Sequence, residues 1–159
     1  MSKPLVVILM GSKADLGHCT KISDACKGFG LETFLRIASA HKTPEHAVSM
    51  LREYEADAKP KVYITVAGRS NALSGFTDGS VSAPVIACPP PSESFGGADL
   101  YSSLRMPSGI APAVVLDPFN AALLAAKIFG VTNAEMREQV KVSQKRAAEK
   151  IIEDDASVR

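Results

Sequence analysis

Leu5 to Met10 is an unbroken apolar run with β-branched residues at its centre, and it stops at Gly11-Ser12. A strand buried on both faces of a parallel sheet has this composition. The period then changes. Leu16, Cys19, Ile22, Cys26 and Phe29 recur every three or four residues, which is an amphipathic helix, and Gly28 and Gly30 close it. Leu31 to Ala38 reads as a second strand. Thr43-Pro44 opens a helix running to about Ala58, with Thr as N-cap and Pro in the first turn. Lys61 to Ala67 is a third strand, stopped by Gly68, and residues 70 to 79 form a short helix. Ala83 to Ala87 is a fourth strand, followed by the loop Cys88-Pro-Pro-Pro91. Ala98 to Arg105 is helical, Ala113 to Leu116 is a short fifth strand, and Asp117 to Phe129 is an Ala/Leu-rich helix ending at Gly130. Thr132-Asn-Ala-Glu135 matches a capping box and opens a last helix over about 132–153, with Met136, Val140, Ile151 and Ile152 as its apolar positions. The residues from Glu153 onward are expected to fray.

Strands alternating with helices predict an α/β fold, an open parallel sheet covered on both faces, with right-handed crossovers. One domain over residues 1–159 is expected, with a core over about 4–130, since a domain averages roughly 150 residues. The last helix lies beyond the fifth strand. It either packs on its own sheet or forms an arm against a neighbouring subunit, and the second reading is preferred.

Composition narrows the function classes. Hydrophobic residues make up 46% and charged residues 22%, which excludes disorder, collagen and coiled coil as the main architecture. With 18 Lys+Arg against 17 Asp+Glu, the net charge is +1, and no basic stripe invites a phosphate backbone. Trp is absent and aromatics are 6%, so base-stacking platforms are not expected and nucleic acid is not an expected partner. The three cysteines, Cys19, Cys26 and Cys88, suggest neither a disulfide framework nor a zinc site. Cys19 and Cys26 share a helix face that points to the core, and free buried thiols suit a reducing compartment. The first apolar run is too short for a signal sequence, and no stretch is long enough to span a bilayer. A soluble cytoplasmic protein, with no membrane partner, is expected.

Ligands of open α/β sheets bind at the carboxyl ends of the strands, so the four loops there are the candidates. After the first strand, Gly11 allows close approach of a ligand, and the following helix N-terminus suits an anion. Ser12 and Asp15 also satisfy a capping box that needs no ligand. Asp15 would repel a phosphate, so any ligand role for it is hydroxyl binding. After the second strand, Ser39-Ala40-His41-Lys42 precedes a helix start. Histidine is a general acid or base near neutral pH. Lys42 suits a phosphate. The alternative is a solvated loop with an exposed histidine. His18 and His46, inside helices, are expected at the surface. After the third strand, Gly68-Arg69-Ser70-Asn71-Ala72-Leu73 offers close backbone and orienting polar groups. It is not a nucleophile elbow, because Ala72 replaces the second glycine of G-x-S-x-G. G-x-G-x-x-G and Walker A sequences are absent, and so are Asp/Glu/His clusters at metal spacing. Cys88 opens the fourth loop, but the sequence pairs it with no histidine.

Gly11-Ser-Lys-Ala-Asp15, Ser39-Ala-His-Lys-Thr-Pro44 and Ala67-Gly-Arg-Ser-Asn71 occur in that order and spacing, and Ser103-Leu-Arg-Met-Pro-Ser-Gly109 and Asn120-Ala-Ala-Leu-Leu-Ala-Ala126 follow. Together they resemble the phosphoribosylaminoimidazole carboxylase (PurE) family of purine biosynthesis, over about residues 5 to 130. That resemblance implies a three-layer αβα sandwich with a flavodoxin-like central parallel sheet plus the extra C-terminal helix. One branch of the family, a mutase acting on the N5-carboxylated ribonucleotide, usually reads Ala-Gly-Gly-Ala-Ala-His-Leu-Pro-Gly at the third motif. Here Arg69, Ser70 and Asn71 replace Gly-Ala-Ala, Ala72 stands for His and Ser74 for Pro. The Arg-Ser-Asn form is similar to the second branch, which includes the animal enzymes and joins CO2 directly to 5-aminoimidazole ribonucleotide (AIR), giving 4-carboxy-AIR (CAIR).

The resemblance implies His41 as the acid/base at C4 of AIR. It implies Ser12 and Lys42 on the phosphate, with Gly11 beside them, and Asp15 on the ribose hydroxyls. Ser39 and the Ala67–Gly68 backbone line the base, and Ala40 is a further substrate-binding residue. Arg69, Ser70 and Asn71 shape the CO2 pocket, and Leu73 is a further substrate-binding residue. It implies no metal, biotin or ATP, and a homo-octamer with sites shared between subunits. The mutase is the alternative within the family. A non-catalytic phosphoribosyl or nucleotide sensor on the same scaffold is the alternative of another class, with no need of His41. A receiver-type signalling domain is disfavoured because its acidic cluster is missing.

Overall fold

The computed structural model describes residues 3–159. Five parallel strands form one sheet: β1 (Leu5–Met10), β2 (Glu32–Ile37), β3 (Lys61–Val66), β4 (Val85–Ala87) and β5 (Ala113–Val114). Their order is β2-β1-β3-β4-β5, the flavodoxin-like arrangement. The helices are α1 (Leu16–Gly28), α2 (Pro44–Glu55), α3 (Ala72–Asp78), α4 (Tyr101–Leu104), α5 (Pro118–Gly130) and α6 (Ala134–Ser157). Short 3-10 turns at Lys13–Asp15 and Ala98–Leu100 lead into α1 and α4.

β1 lies between β2 and β3 and is buried along its whole length, as its unbroken apolar run requires. Alternate side chains serve opposite faces. Val6, Ile8 and Met10 pack with Ile22 and Cys26 of α1 and with Ala121, Ala125 and Phe129 of α5. Leu5, Val7 and Leu9 pack with Met50 and Leu51 of α2, Tyr63, and Leu73 of α3. Each large aliphatic side chain fully buried here contributes about 1.5–3 kcal/mol. Cys19 and Cys26 are buried, as their spacing predicts.

Several ends differ from the sequence reading. β4 starts at Val85 because Pro84 has no N–H for the ladder, although its carbonyl accepts the Tyr63 N–H at 3.0 Å. β5 is two residues long. Thr43 precedes α2 but does not cap it through its side chain. Its hydroxyl bonds the Ser39 backbone instead, accepting from the N–H at 3.0 Å and lying 3.3 Å from the carbonyl oxygen. The cap of α6 is Asn133, whose Oδ1 accepts the Met136 N–H at 3.0 Å, and not Thr132. The expected fraying from Glu153 is corrected: α6 continues to Ser157, with i,i+4 pairs Lys150–Asp154 and Asp155–Arg159 on its last turns. α6 packs on α5 through Met136 and Val140, while Ile151 and Ile152 near its far end are exposed. No helix among the described residues is long and apolar enough to cross a membrane.

Candidate active site

The loops after β1, β2 and β3 open along the same edge of the sheet and enclose a cavity of about 500 Å³. Ser12 stands on its first wall. Its Oγ accepts the Ala14 N–H at 3.2 Å and lies 3.5 Å from an Asp15 carboxylate oxygen. The capping turn and the ligand wall are therefore one structure. The hydroxyl holds the entry to α1 and still faces the cavity beside Gly11 and Asp15.

The second wall carries Ser39, Ala40, His41 and Lys42. This loop is braced from within. The Ser39 hydroxyl accepts the Lys42 N–H at 3.2 Å, and the Thr43 N–H donates to the Ser39 carbonyl at 2.9 Å. Both side chains at its tip, His41 and Lys42, are solvent-exposed. A fixed loop with a free imidazole and a free ammonium just before a twelve-residue helix is suited to an anionic ligand that also needs a proton donor or acceptor.

The third wall is Ala67, Gly68, Arg69 and Ser70, with Leu73 beneath. Arg69 has φ +60°, and among the described residues it is the one non-glycine in the left-handed region. That conformation costs an L-residue roughly 1–2 kcal/mol, so neighbours must hold it. The Arg69 N–H donates to Asp99 Oδ2 at 3.0 Å.

Asn71 is not on the cavity wall; its side chain is buried and hydrogen-bonded through both its oxygen and its nitrogen. Its Oδ1 accepts from the Ser74 N–H at 3.2 Å and the Ser74 hydroxyl at 2.8 Å, capping α3, and its Nδ2 donates to Ser103 at 2.8 Å. Thr65 continues the network, 2.7 Å from the Ser74 hydroxyl. An asparagine ahead of a helix is a preferred N-cap, which was the sequence signal for this role.

The AIR carboxylase family profile matches residues 5–150. The chain belongs to that family. A Treponema denticola protein named phosphoribosylaminoimidazole carboxylase is 62% identical over 157 residues, covering 99% of both chains. An Archaeoglobus fulgidus protein of the same name is 51% identical over 153 residues, 96% of this chain and 84% of the relative. The crystal structure of Treponema denticola PurE superposes with a TM-score of 0.97, at 62% identity and 99% coverage of each chain.

In this member of the AIR carboxylase family, the sequence reading missed part of the cavity. Ala14, Pro90, Pro91, Ser92 and Asp99 also line it. In the loop after β4 the signal lies in the rigid Pro-Pro-Pro91-Ser92 run at the same sheet edge, not in Cys88. Asp99 lies farther along the chain, after Gly96-Gly97, where only topology brings it back to Gly68.

Cys88 is buried, and burial pushes its thiol up to about 12, with Asp117 and Cys19 adding to the rise. It therefore stays protonated and is no nucleophile near neutral pH. Its histidine partner is one that the sequence placed at the surface. His18 is half-buried, with Nε2 3.4 Å from Cys88 Sγ, and burial holds its imidazole below the ordinary histidine range despite the Cys88 contact. Cys19 and Cys26 are likewise pushed up to about 12, mainly by burial. His46 is exposed, as expected.

Proposed function

We propose that this chain joins CO2 directly to C4 of AIR, giving CAIR reversibly, with His41 as the acid/base. A member of the AIR carboxylase family is a carboxy-lyase of purine biosynthesis. The observation that carries the finer reading is the convergence of Ser12 and Asp15, His41 and Lys42, and Arg69 and Ser70 on one cavity. Lys42 and Ser12 bind the 5-phosphate, and Asp15 takes the ribose hydroxyls. Ser39, Ala40 and the Ala67–Gly68 backbone flank the imidazole. Arg69, Ser70 and Leu73 bound the space beside C4. Asn71 contributes from behind, by fixing the start of α3.

The chemistry follows from the ring. The exocyclic amine pushes electron density onto C4, and C4 attacks the carbon of CO2. A C–C bond forms, and one C=O π pair becomes carboxylate charge. The adduct still carries hydrogen on C4. The His41 imidazole removes it as a proton, and the C–H pair returns to the ring to restore aromaticity. In reverse, imidazolium protonates C4 and the C–CO2 bond breaks. CO2 is small, neutral and weakly held, so the site gains most by keeping it against C4. The Arg-Ser-Asn sequence at 69–71 favours this direct route over the mutase, whose usual motif it departs from.

The family's homo-octamer belongs to the same proposal. It is supported by Ile151 and Ile152, each 68% exposed on the outer part of α6.

Replacing His41 with Asn tests the assignment. Turnover is expected to fall by about 10²- to 10⁴-fold, as for loss of a general acid/base, with binding of the nucleotide nearly unchanged. A His41→Asn protein that turns over like the parent would point to another base, and a parent that binds the nucleotide without turning it over would point to a sensor.

A further inference from the structure

Asp99 reaches the third wall from the far side of the chain. Its Oδ2 accepts the Arg69 N–H at 3.0 Å, and the same oxygen stands 3.7 Å from where a Cβ on Gly68 would lie. Three residues on, the Ser102 hydroxyl donates to the Asp99 carbonyl at 2.7 Å and accepts the Asn71 N–H at 2.9 Å. The short segment Asp99–Ser102 thus grips the backbone on both sides of Ser70. The first grip falls on Arg69 itself, at a positive φ that an L side chain adopts only when held.

We propose that Asp99 is a positioning residue of the carboxylation site, fixing the Gly68–Ser70 wall in its strained shape by accepting the Arg69 amide. This rests on the proposed function, because that wall bounds the space beside C4. The phosphate and ribose groups lie on the other two walls and do not depend on it. Loss of the acceptor therefore disturbs the chemical step more than nucleotide affinity. The role needs an oxygen acceptor, not a charge, so an amide substitutes for the carboxylate.

The experiment compares Asp99→Ala, Asp99→Asn and Ser102→Ala with the parent, as full chains. Initial rates are measured against AIR and CO2, and in reverse with CAIR, across pH. Trypsin cleavage after Arg69 is followed by mass spectrometry. Asp99→Ala is expected to lower kcat in both directions by about 10- to 100-fold, the range for a displaced reactive geometry, with a much smaller change in KM for AIR. Trypsin should cut after Arg69 faster. Asp99→Asn is expected to recover most of the rate with an unaltered pH profile, and Ser102→Ala to show a milder form of the same split. If Asp99→Ala does not fold, Ser102→Ala carries the comparison, and parental kcat and cleavage there overturn the proposal. Parental kcat and cleavage in Asp99→Ala overturn it too. So does an Asp99→Asn protein as impaired as Asp99→Ala with one limb of its pH profile lost, since the carboxylate would then act by its charge. Parent protein inactive on AIR contradicts the direct-carboxylase reading alone, and the cleavage rates still decide the role of Asp99.

Discussion

Two histidines in this chain meet opposite surroundings. His41 stands in solvent at the tip of a braced loop. His18 is packed against Cys88 and held below its ordinary value of 6.5 by burial. Above pH 6.5 the imidazole is neutral in both the folded and unfolded chain. As pH falls from 6.5 toward the folded value, the unfolded chain takes up a proton that the folded one refuses, so stability drops in that window. Glu55 adds a second window. Burial raises its carboxyl, but hydrogen bonds from the Ser82 N–H and the Tyr63 and Ser82 hydroxyls, with Lys61 nearby, bring it below 4.5. Its contribution is full above 4.5 and is lost as pH falls through the folded value. The urea midpoint is expected to fall in two steps on acidification, and His18→Gln should remove the upper step alone. A midpoint that is flat between pH 7 and 5, or an upper step that survives His18→Gln, contradicts this.

At the scale of elements, the strands and helices were legible because their periods are strong. β1 announces itself by six consecutive buried positions, and α1 by Cys19, Ile22 and Cys26 on one face. What the sequence hid was competition for single side chains. Thr43 sits where a cap belongs, yet its hydroxyl bonds Ser39, and Asn133 outbids Thr132 at α6. Asn71 looked like a site residue by motif and is a cap by geometry. The site loops after β1, β2 and β3 were legible because topology alone selects strand ends. Asp99 was not, since 30 residues separate it from the amide it holds. The far end of α6 carries its own prediction. Ile151 and Ile152 touch little within the chain. Replacing both with Asp should leave the far-ultraviolet spectrum unchanged and lower the particle mass measured by light scattering below that of the proposed octamer. An unchanged mass would remove α6 from the assembly contact.

At the scale of the molecule, strand order decides where chemistry occurs. With β1 central and β2 and β3 on either side, chain direction switches between them, and a crevice opens at their carboxyl ends. Ser12, His41 and Gly68 lie far apart in sequence and converge there. On the proposed function, this crevice carboxylates AIR with CO2 directly. The most direct test follows CAIR formation by ultraviolet absorbance in two reactions, AIR with CO2 and freshly made N5-carboxy-AIR. A direct carboxylase turns over AIR at a rate that rises with CO2 concentration, and consumes no N5-carboxy-AIR beyond its own breakdown. Conversion of N5-carboxy-AIR faster than it decays, without turnover of AIR and CO2, would contradict this reading and make the chain a mutase.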